Sequence, residues 1–203
     1  MECVAEIKKL TGGRSLVALE SGLSFPLYGT ELAEYGITEG AMISTEVIAR
    51  IMKEVLPRRA QLFAMHLLEK MDRTEFQLRE KLRQSGYPDE IIDDAVGYVK
   101  GYHYIDDLRY AGHYLESHGT AKSLRRMEQD LYEKGIAKEV VAQAVSEAEL
   151  PDEESQIREL LEKKHYDPAQ SDRKTQQKLY AFLQRRGYGI SAISHVMNLS
   201  DWQ

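Results

Sequence analysis

Two patterns of apolar spacing divide the chain near Pro57. Before it, the runs VAEIKKL, SLVALE and LSFPLYG within residues 3 to 28 are short, rich in β-branched and apolar residues, and separated by Gly12-Gly13 and Ser21-Gly22. Runs of that length punctuated by glycine turns predict a small antiparallel β-meander. Pro26 cannot donate to a ladder, which assigns the third run to an edge. TELAEYGITEG then predicts a short helix ended by Gly36. STEVIARIMKEVL predicts a longer one, with Ser44 as N-cap and Glu46 in the first turn. Residues 1–56 therefore read as a small α+β head.

From Pro57 onward the apolar residues recur at three- and four-residue steps, the period of helices that bury one face. Three segments align on a glycine: LREKLRQSGY (78–87), MEQDLYEKGI (127–136) and LYAFLQRRGY (179–188), with Gly86, Gly135 and Gly187 standing 49 and 52 residues apart. Each has an apolar residue eight before the glycine, a leucine four before it (Leu82, Leu131, Leu183) and an apolar residue directly after it (Tyr87, Ile136, Tyr188). Glycine in the left-handed conformation at a helix C-terminus, with an apolar contact between the residues four before and one after, is the pattern of a Schellman cap. Further apolar stretches lie upstream (AQLFAMHLLEKM, DLRYAGHYLESH, EESQIRELLEKK) and downstream (IIDDAV, VVAQAV, AISHVM), giving helix, helix, glycine cap, helix in each unit. Thr74 with Gln77 forms a capping box at the start of the first unit's second helix. The expected fold is mainly α: three tandem three-helix repeats at 57–105, 106–150 and 151–203 in an elongated curved array, preceded by the head at 1–56. Only HYDPAQSD (165–172) reads as a loop inside a unit.

Composition adds limits. Of 203 residues 42% are hydrophobic, enough for real cores, and 30% are charged with a net charge of −6. Net acidity argues against a protein held on free duplex DNA by bulk electrostatics, since phosphate neutralisation needs a positive face. The distribution matters more: residues 173–186 hold Arg173, Lys174, Lys178, Arg185 and Arg186 and no carboxylate. Cys3 is the one cysteine, so no internal disulfide forms. No apolar run approaches the length of a membrane span, and the N-terminus lacks the order of a signal peptide, so a cytoplasmic protein is expected.

The same residues carry a resemblance. AMHLLEKMDRTEFQLREKL (64–82) is similar to the first-repeat signature of the RecX family, with Arg73, Thr74, Leu78, Arg79, Lys81 and Leu82 matching and Gln77 where that family more often has Glu. YIDDLRYAGHYLESH (104–118) resembles the second-repeat signature through Asp106, Asp107, Tyr110 and Ala111. QQKLYAFLQRRGYGISAISHVM (176–197) resembles the third through Lys178, Leu179, Leu183, Arg185, Arg186, Gly187 and Tyr188. The resemblance runs from about residue 57 to residue 198 and leaves the head outside. It implies a non-enzymatic regulator, monomeric, that lies in the groove of the RecA–single-stranded DNA filament and limits filament growth, ATPase and strand exchange.

Basic residues recur on the second helix of each unit: Arg73, Arg79, Lys81 and Arg83, then Lys122, Arg125 and Arg126, then Lys174, Lys178, Arg185 and Arg186. A solvated helix face is the plain explanation of any one of them. As a repeated set they predict a surface for RecA or for phosphates of the strand within its filament, with Lys178, Arg185 and Arg186 foremost. Tyr98 with Tyr102, and Tyr110 with Tyr114, are spaced to bury rings against a neighbouring repeat, with base stacking as the alternative. No metal-ligand spacing, phosphate loop or nucleophile elbow occurs, so neither a cofactor nor a metal is expected. A direct DNA-binding module is the competing class, because three-helix units with a basic helix resemble helix-turn-helix domains. A generic repeat scaffold is a third.

Overall fold

The computed structural model describes residues 1–168 and 170–199. Ala169, inside the expected 165–172 loop, and residues 200–203, at the end of the expected third repeat, lie outside them. Contacts group the chain into two compact units, Met1–Asp106 and the residues from Asp107 onward.

In the first unit, β1 (Glu2–Lys9), β2 (Arg14–Leu19) and β3 (Ser24–Tyr28) form the expected meander. The strand order is β3-β2-β1-β4. Pro26 sits opposite Leu16 on the outer strand β3, where its missing N–H breaks no ladder. A two-residue strand, β4 (Met42–Ile43), pairs with the start of β1 on the other side. It has no signature in the pattern of apolar residues, because two residues carry no period. Between β3 and β4 lies α1 (Gly29–Glu34), closed by Gly36 at φ 64°.

Ser44 caps α2 (Thr45–Arg50) by accepting the Val47 amide. The helix then widens into a π turn over Ile51–Val55, with the Leu56 N–H donating to Ile51 O, and continues as α3 (Leu56–Lys70). Pro57 explains the widening: it has no N–H, and its ring would collide with the carbonyl four residues back in a regular helix. The expected junction at 56/57 thus falls within a continuous helical run. The first repeat is completed by α4 (Glu75–Gln84) and α5 (Asp89–Gly101). Val17, Phe25 and Leu27 of the sheet share one buried cluster with Leu56, Ala60, Leu78, Leu82 and Ile92 of the helices.

The second unit holds α6 (Asp107–His118), α7 (Leu124–Glu133) and α8 (Lys138–Glu147), then α9 (Glu153–Glu162), α10 (Arg173–Arg185) and α11 (Ile190–Val196). Each triplet buries its own cluster, around Leu115, Met127 and Leu131 and around Ile157, Leu183 and Ile193.

The three glycine caps form as the spacing predicts. Gly86, Gly135 and Gly187 have φ of 86°, 81° and 89°. The amides of Tyr87, Ile136 and Tyr188 donate to the carbonyls of Leu82, Leu131 and Leu183 at 3.3, 3.2 and 3.3 Å, and all six side chains are buried. This is the Schellman pattern with its apolar clasp. The second helices also share a start: Thr74, Ser123 and Asp172 accept the amides of Gln77, Arg126 and Thr175, and Gln77 closes the capping box. Other helices end on left-handed residues other than glycine, at His103, His165 and Asn198.

Candidate functional site

Local helix chemistry puts all three basic clusters where the repeat pattern predicts, on or just before α4, α7 and α10. Their electrostatic surroundings differ. On α4 the charge is largely spent. Arg79 donates to Glu75 at 2.8 Å and across to Asp93 on α5 at 2.6 Å. The Asp93 hydrogen bond leads the effects that raise the Arg79 pKa above its ordinary value. Arg83 pairs with Glu80 and with Asp89. Lys81 is exposed and donates to Gln84. Arg73 is half-buried, with its Nε enclosed and without a hydrogen-bond partner among the described residues.

Around α7, two of the three cations turn to one buried carboxylate. Asp130 receives Lys122 Nζ at 2.7 Å, Arg126 Nη2 at 2.9 Å and the Tyr114 hydroxyl at 2.7 Å. Burial pushes the Asp130 carboxyl up, and the hydrogen bonds from Lys122 and Tyr114, aided by the Lys122 and Arg126 charges, outweigh it and hold the group below the usual carboxylate range. Lys122 also lies over the Tyr114 ring. Arg125, exposed in the first turn of α7, has no carboxylate partner among the described residues.

On α10, Lys174, Lys178 and Arg185 are exposed and form no salt bridge among the described residues, although the Lys178 charge helps to lower the pKa of Asp172. At 100° per residue they fall within about 40° of one another, and at 1.5 Å per residue they extend along about 16 Å of the helix. Arg186 does not join them. Its guanidinium donates to Ala121 O at 2.5 Å and lies 4.4 Å from the Phe182 ring centroid, while its own carbonyl accepts the Ser123 amide at 3.1 Å. It ties the end of α10 to the loop before α7.

That tie makes a cleft of about 360 Å³ lined by Arg125, Arg126, Gln129, Gln184, Arg185 and Tyr188, with no carboxylate in its lining. Gly187 holds the walls at their spacing: a Cβ there would stand 2.5 Å from Ser123 Oγ and 2.8 Å from Arg126 Cβ. The gathering of Arg125 with Arg185 across two repeats could not be read from sequence, because it depends on the docking of one repeat on the next.

The first tyrosine pair departs from expectation. Tyr98, Tyr102 and Tyr104 remain 36%, 61% and 53% exposed. They pack on one another with ring centroids 4.9 and 6.1 Å apart. Tyr110 and Tyr114 are half-buried against the core of their own repeat, and Tyr114 also donates to Asp130. Among the described residues no group of three or more His, Cys, Asp or Glu side chains could hold a metal ion, and no helix is long and apolar enough to cross a membrane.

Tandem three-helix units with repeated glycine caps define a helical-repeat protein. Models of the first, second and third RecX three-helix domains match residues 60–98, 106–145 and 152–197. The chain belongs to the RecX family. It is 26% identical over 195 residues to Regulatory protein RecX of Clostridium perfringens, covering 95% of this chain and 92% of that one. The corresponding protein of Vibrio parahaemolyticus is 34% identical over 144 residues, covering 68% and 89%. That of Caldanaerobacter subterraneus is 29% identical over 197 residues, covering 96% and 97%, so the similarity takes in the head as well as the repeats. A crystal structure of regulatory protein RecX superposes with a TM-score of 0.58 at 21% identity over 98% of this chain and all of that one. RecX from Lactobacillus salivarius gives 0.55 at 19% identity over 72% and 97%. The relatives are regulatory proteins by name, and the fold is theirs.

Proposed function

We propose that this chain regulates the RecA recombinase by docking on the RecA–single-stranded DNA filament, where it inhibits filament growth, ATPase and strand exchange. Family membership supports the choice of RecA as partner. The observation that carries the reading to particular residues is the stripe of Lys174, Lys178 and Arg185, exposed and without salt bridges among the described residues, while the α4 arginines Arg79 and Arg83 are paired internally. Unpaired surface cations steer association with an anionic filament and make it salt-dependent. In this reading the protein acts in the cytoplasm in DNA repair and the SOS response, as a monomer and without catalysis. Arg186, bound to Ala121 O, holds the fold rather than the partner.

The test is inhibition of RecA's single-strand-dependent ATPase by the wild type and by Lys174→Glu/Lys178→Glu/Arg185→Glu at several salt concentrations. The triple variant is expected to need about tenfold more protein for half-inhibition, with a flatter salt dependence, because steering by a cationic face is worth about ten- to a thousandfold in association rate. Unchanged inhibition and unchanged salt dependence would remove the stripe from the interface.

A further inference from the structure

We propose that the cleft between the end of α10 and the start of α7 is a phosphate clamp, built from Arg125 and Arg185 of two different repeats, that takes one phosphodiester of a single-stranded nucleic acid. The first ground is electrostatic. Arg125 and Arg185, neither in a salt bridge among the described residues, line one cleft with no acid in its wall; Arg126 beside them is paired with Asp130, and the adjoining cavity that Arg125 also lines holds Glu128, Asp152 and Glu153. Such a gathering repels itself until an anion enters.

The second ground is the neighbouring helix. The first turn of α7 contains no acidic residue and instead carries Arg125 and Arg126, placing cations at the positive end of the helix dipole. The first turns of α4, α5, α6, α8 and α9 carry an acid, whereas those of α3, α10 and α11 do not, and α10 likewise opens on two cations, Arg173 and Lys174. The placement is unfavourable in isolation and becomes favourable with an anion beside it.

The third ground is rigidity. The Ser123 amide to Arg186 O, Arg186 Nη1 to Ala121 O and the close approach of Gly187 fix the two walls before any ligand arrives, so little ordering cost falls on binding.

The choice of a nucleic-acid phosphate rests on shape. Arg185 is both a wall of the cleft and the end of the Lys174–Lys178–Arg185 stripe, so the cleft closes a line of charge about 16 Å long. A line of cations ending in a guanidinium clamp matches a strand with evenly repeated anions better than it matches a compact acidic patch. Gln129 and Gln184 add amide donors for the remaining phosphate oxygens. An occupied clamp would bridge α7 and α10 and stiffen the junction of the second and third repeats. This inference deepens the cationic-face reading, but its test contains no RecA, so either can fail alone.

The experiment is fluorescence anisotropy of a labelled oligothymidylate with the full chain across a salt titration, comparing wild type, Arg125→Gln/Arg185→Gln and the charge-matched control Lys53→Gln/Lys138→Gln, at exposed positions outside the basic sets. Each lost phosphate contact removes about 0.7 from the slope of log affinity against log salt. The clamp holds one phosphodiester, so its variant should lose about 2.6-fold of the weakening that wild type shows between about 50 and about 200 mM salt. The control should keep it. In parallel, the Arg125 and Arg185 Nε–H resonances of the wild type should move on adding oligothymidylate, a readout that needs no variant to fold. Equal losses in clamp and control variants, an unmoved pair of Nε–H resonances, or tighter binding of an oligoglutamate than of oligothymidylate would each overturn the assignment.

Discussion

Replacing Gly187 by alanine probes the joint on which the second unit's surface depends. The residue sits at φ 89°, so any L side chain bears the left-handed penalty of about 1–2 kcal/mol. The new Cβ would also stand 2.5 Å from Ser123 Oγ and 2.8 Å from Arg126 Cβ. Ser123 Oγ is the acceptor that caps α7 through the Arg126 amide, and pushing it aside forfeits a cap worth about 1 kcal/mol. The expected destabilisation is about 2–3 kcal/mol. Asparagine tolerates the left-handed conformation but keeps the Cβ, so Gly187→Asn should recover about 1 kcal/mol and no more. Urea denaturation gives the totals, and hydrogen exchange at the Ser123 amide, bonded to Arg186 O, reports the joint directly. A Gly187→Ala protein within about 0.5 kcal/mol of wild type, well inside the left-handed penalty, with the Ser123 amide equally protected, would refute the reasoning. So would full restoration by asparagine.

Other outcomes follow from the same geometry. Asp130→Asn should cost about 2 kcal/mol near neutrality, the usual worth of hydrogen bonds to a charged group. Because the folded Asp130 carboxyl titrates below its ordinary value, its stabilisation is present above the unfolded pKa and lost as pH falls through the folded one, so the variant should show a shallower acid limb in thermal melts. Tyr188→Phe should leave stability unchanged or raise it by about 1 kcal/mol, since the Tyr188 hydroxyl is buried without a hydrogen-bond partner among the described residues. Burial pushes the Tyr188 pKa up to about 12, so wild type loses stability as pH climbs from the ordinary tyrosine value toward that limit, and the phenylalanine variant should lose less. Arg186→Met should destabilise the second unit by about 1.5–3 kcal/mol through the lost bond to Ala121 O, yet leave the salt slope of oligonucleotide binding in place. A slope reduced as much as in the clamp variant would mean that Arg186 also meets the ligand.

What could be read from the chain without coordinates was whatever short-range stereochemistry decides. Gly86, Gly135 and Gly187 announced their caps because glycine alone enters the left-handed region freely, and Thr74 with Gln77 announced a helix start because both ends of that reciprocal bond lie three residues apart. His103, His165 and Asn198 end helices in the same conformation but gave no signal, because their side chains serve many other roles. The candidate cations were placed on the right helices, and their state was hidden. Whether Arg79 reaches Asp93 depends on how α4 lies across α5, and whether Arg186 faces solvent depends on the loop around Ala121, 65 positions earlier in the chain. The tyrosine spacing was consistent with burial or exposure alike, and in Tyr98, Tyr102 and Tyr104 exposure prevailed.

The helix that runs unbroken from Thr45 through the π turn to Lys70 bears on how this protein could be shortened. A fragment starting at Leu56 would open on a frayed helical end and would strip Val17, Phe25 and Leu27 from the oily seam they share with Leu78, Leu82 and Ile92. Loss of the head in the laboratory would therefore leave a sticky first repeat prone to self-association. A lineage that dispensed with the sheet would need new polar residues on α3 and α4 to stay in solution.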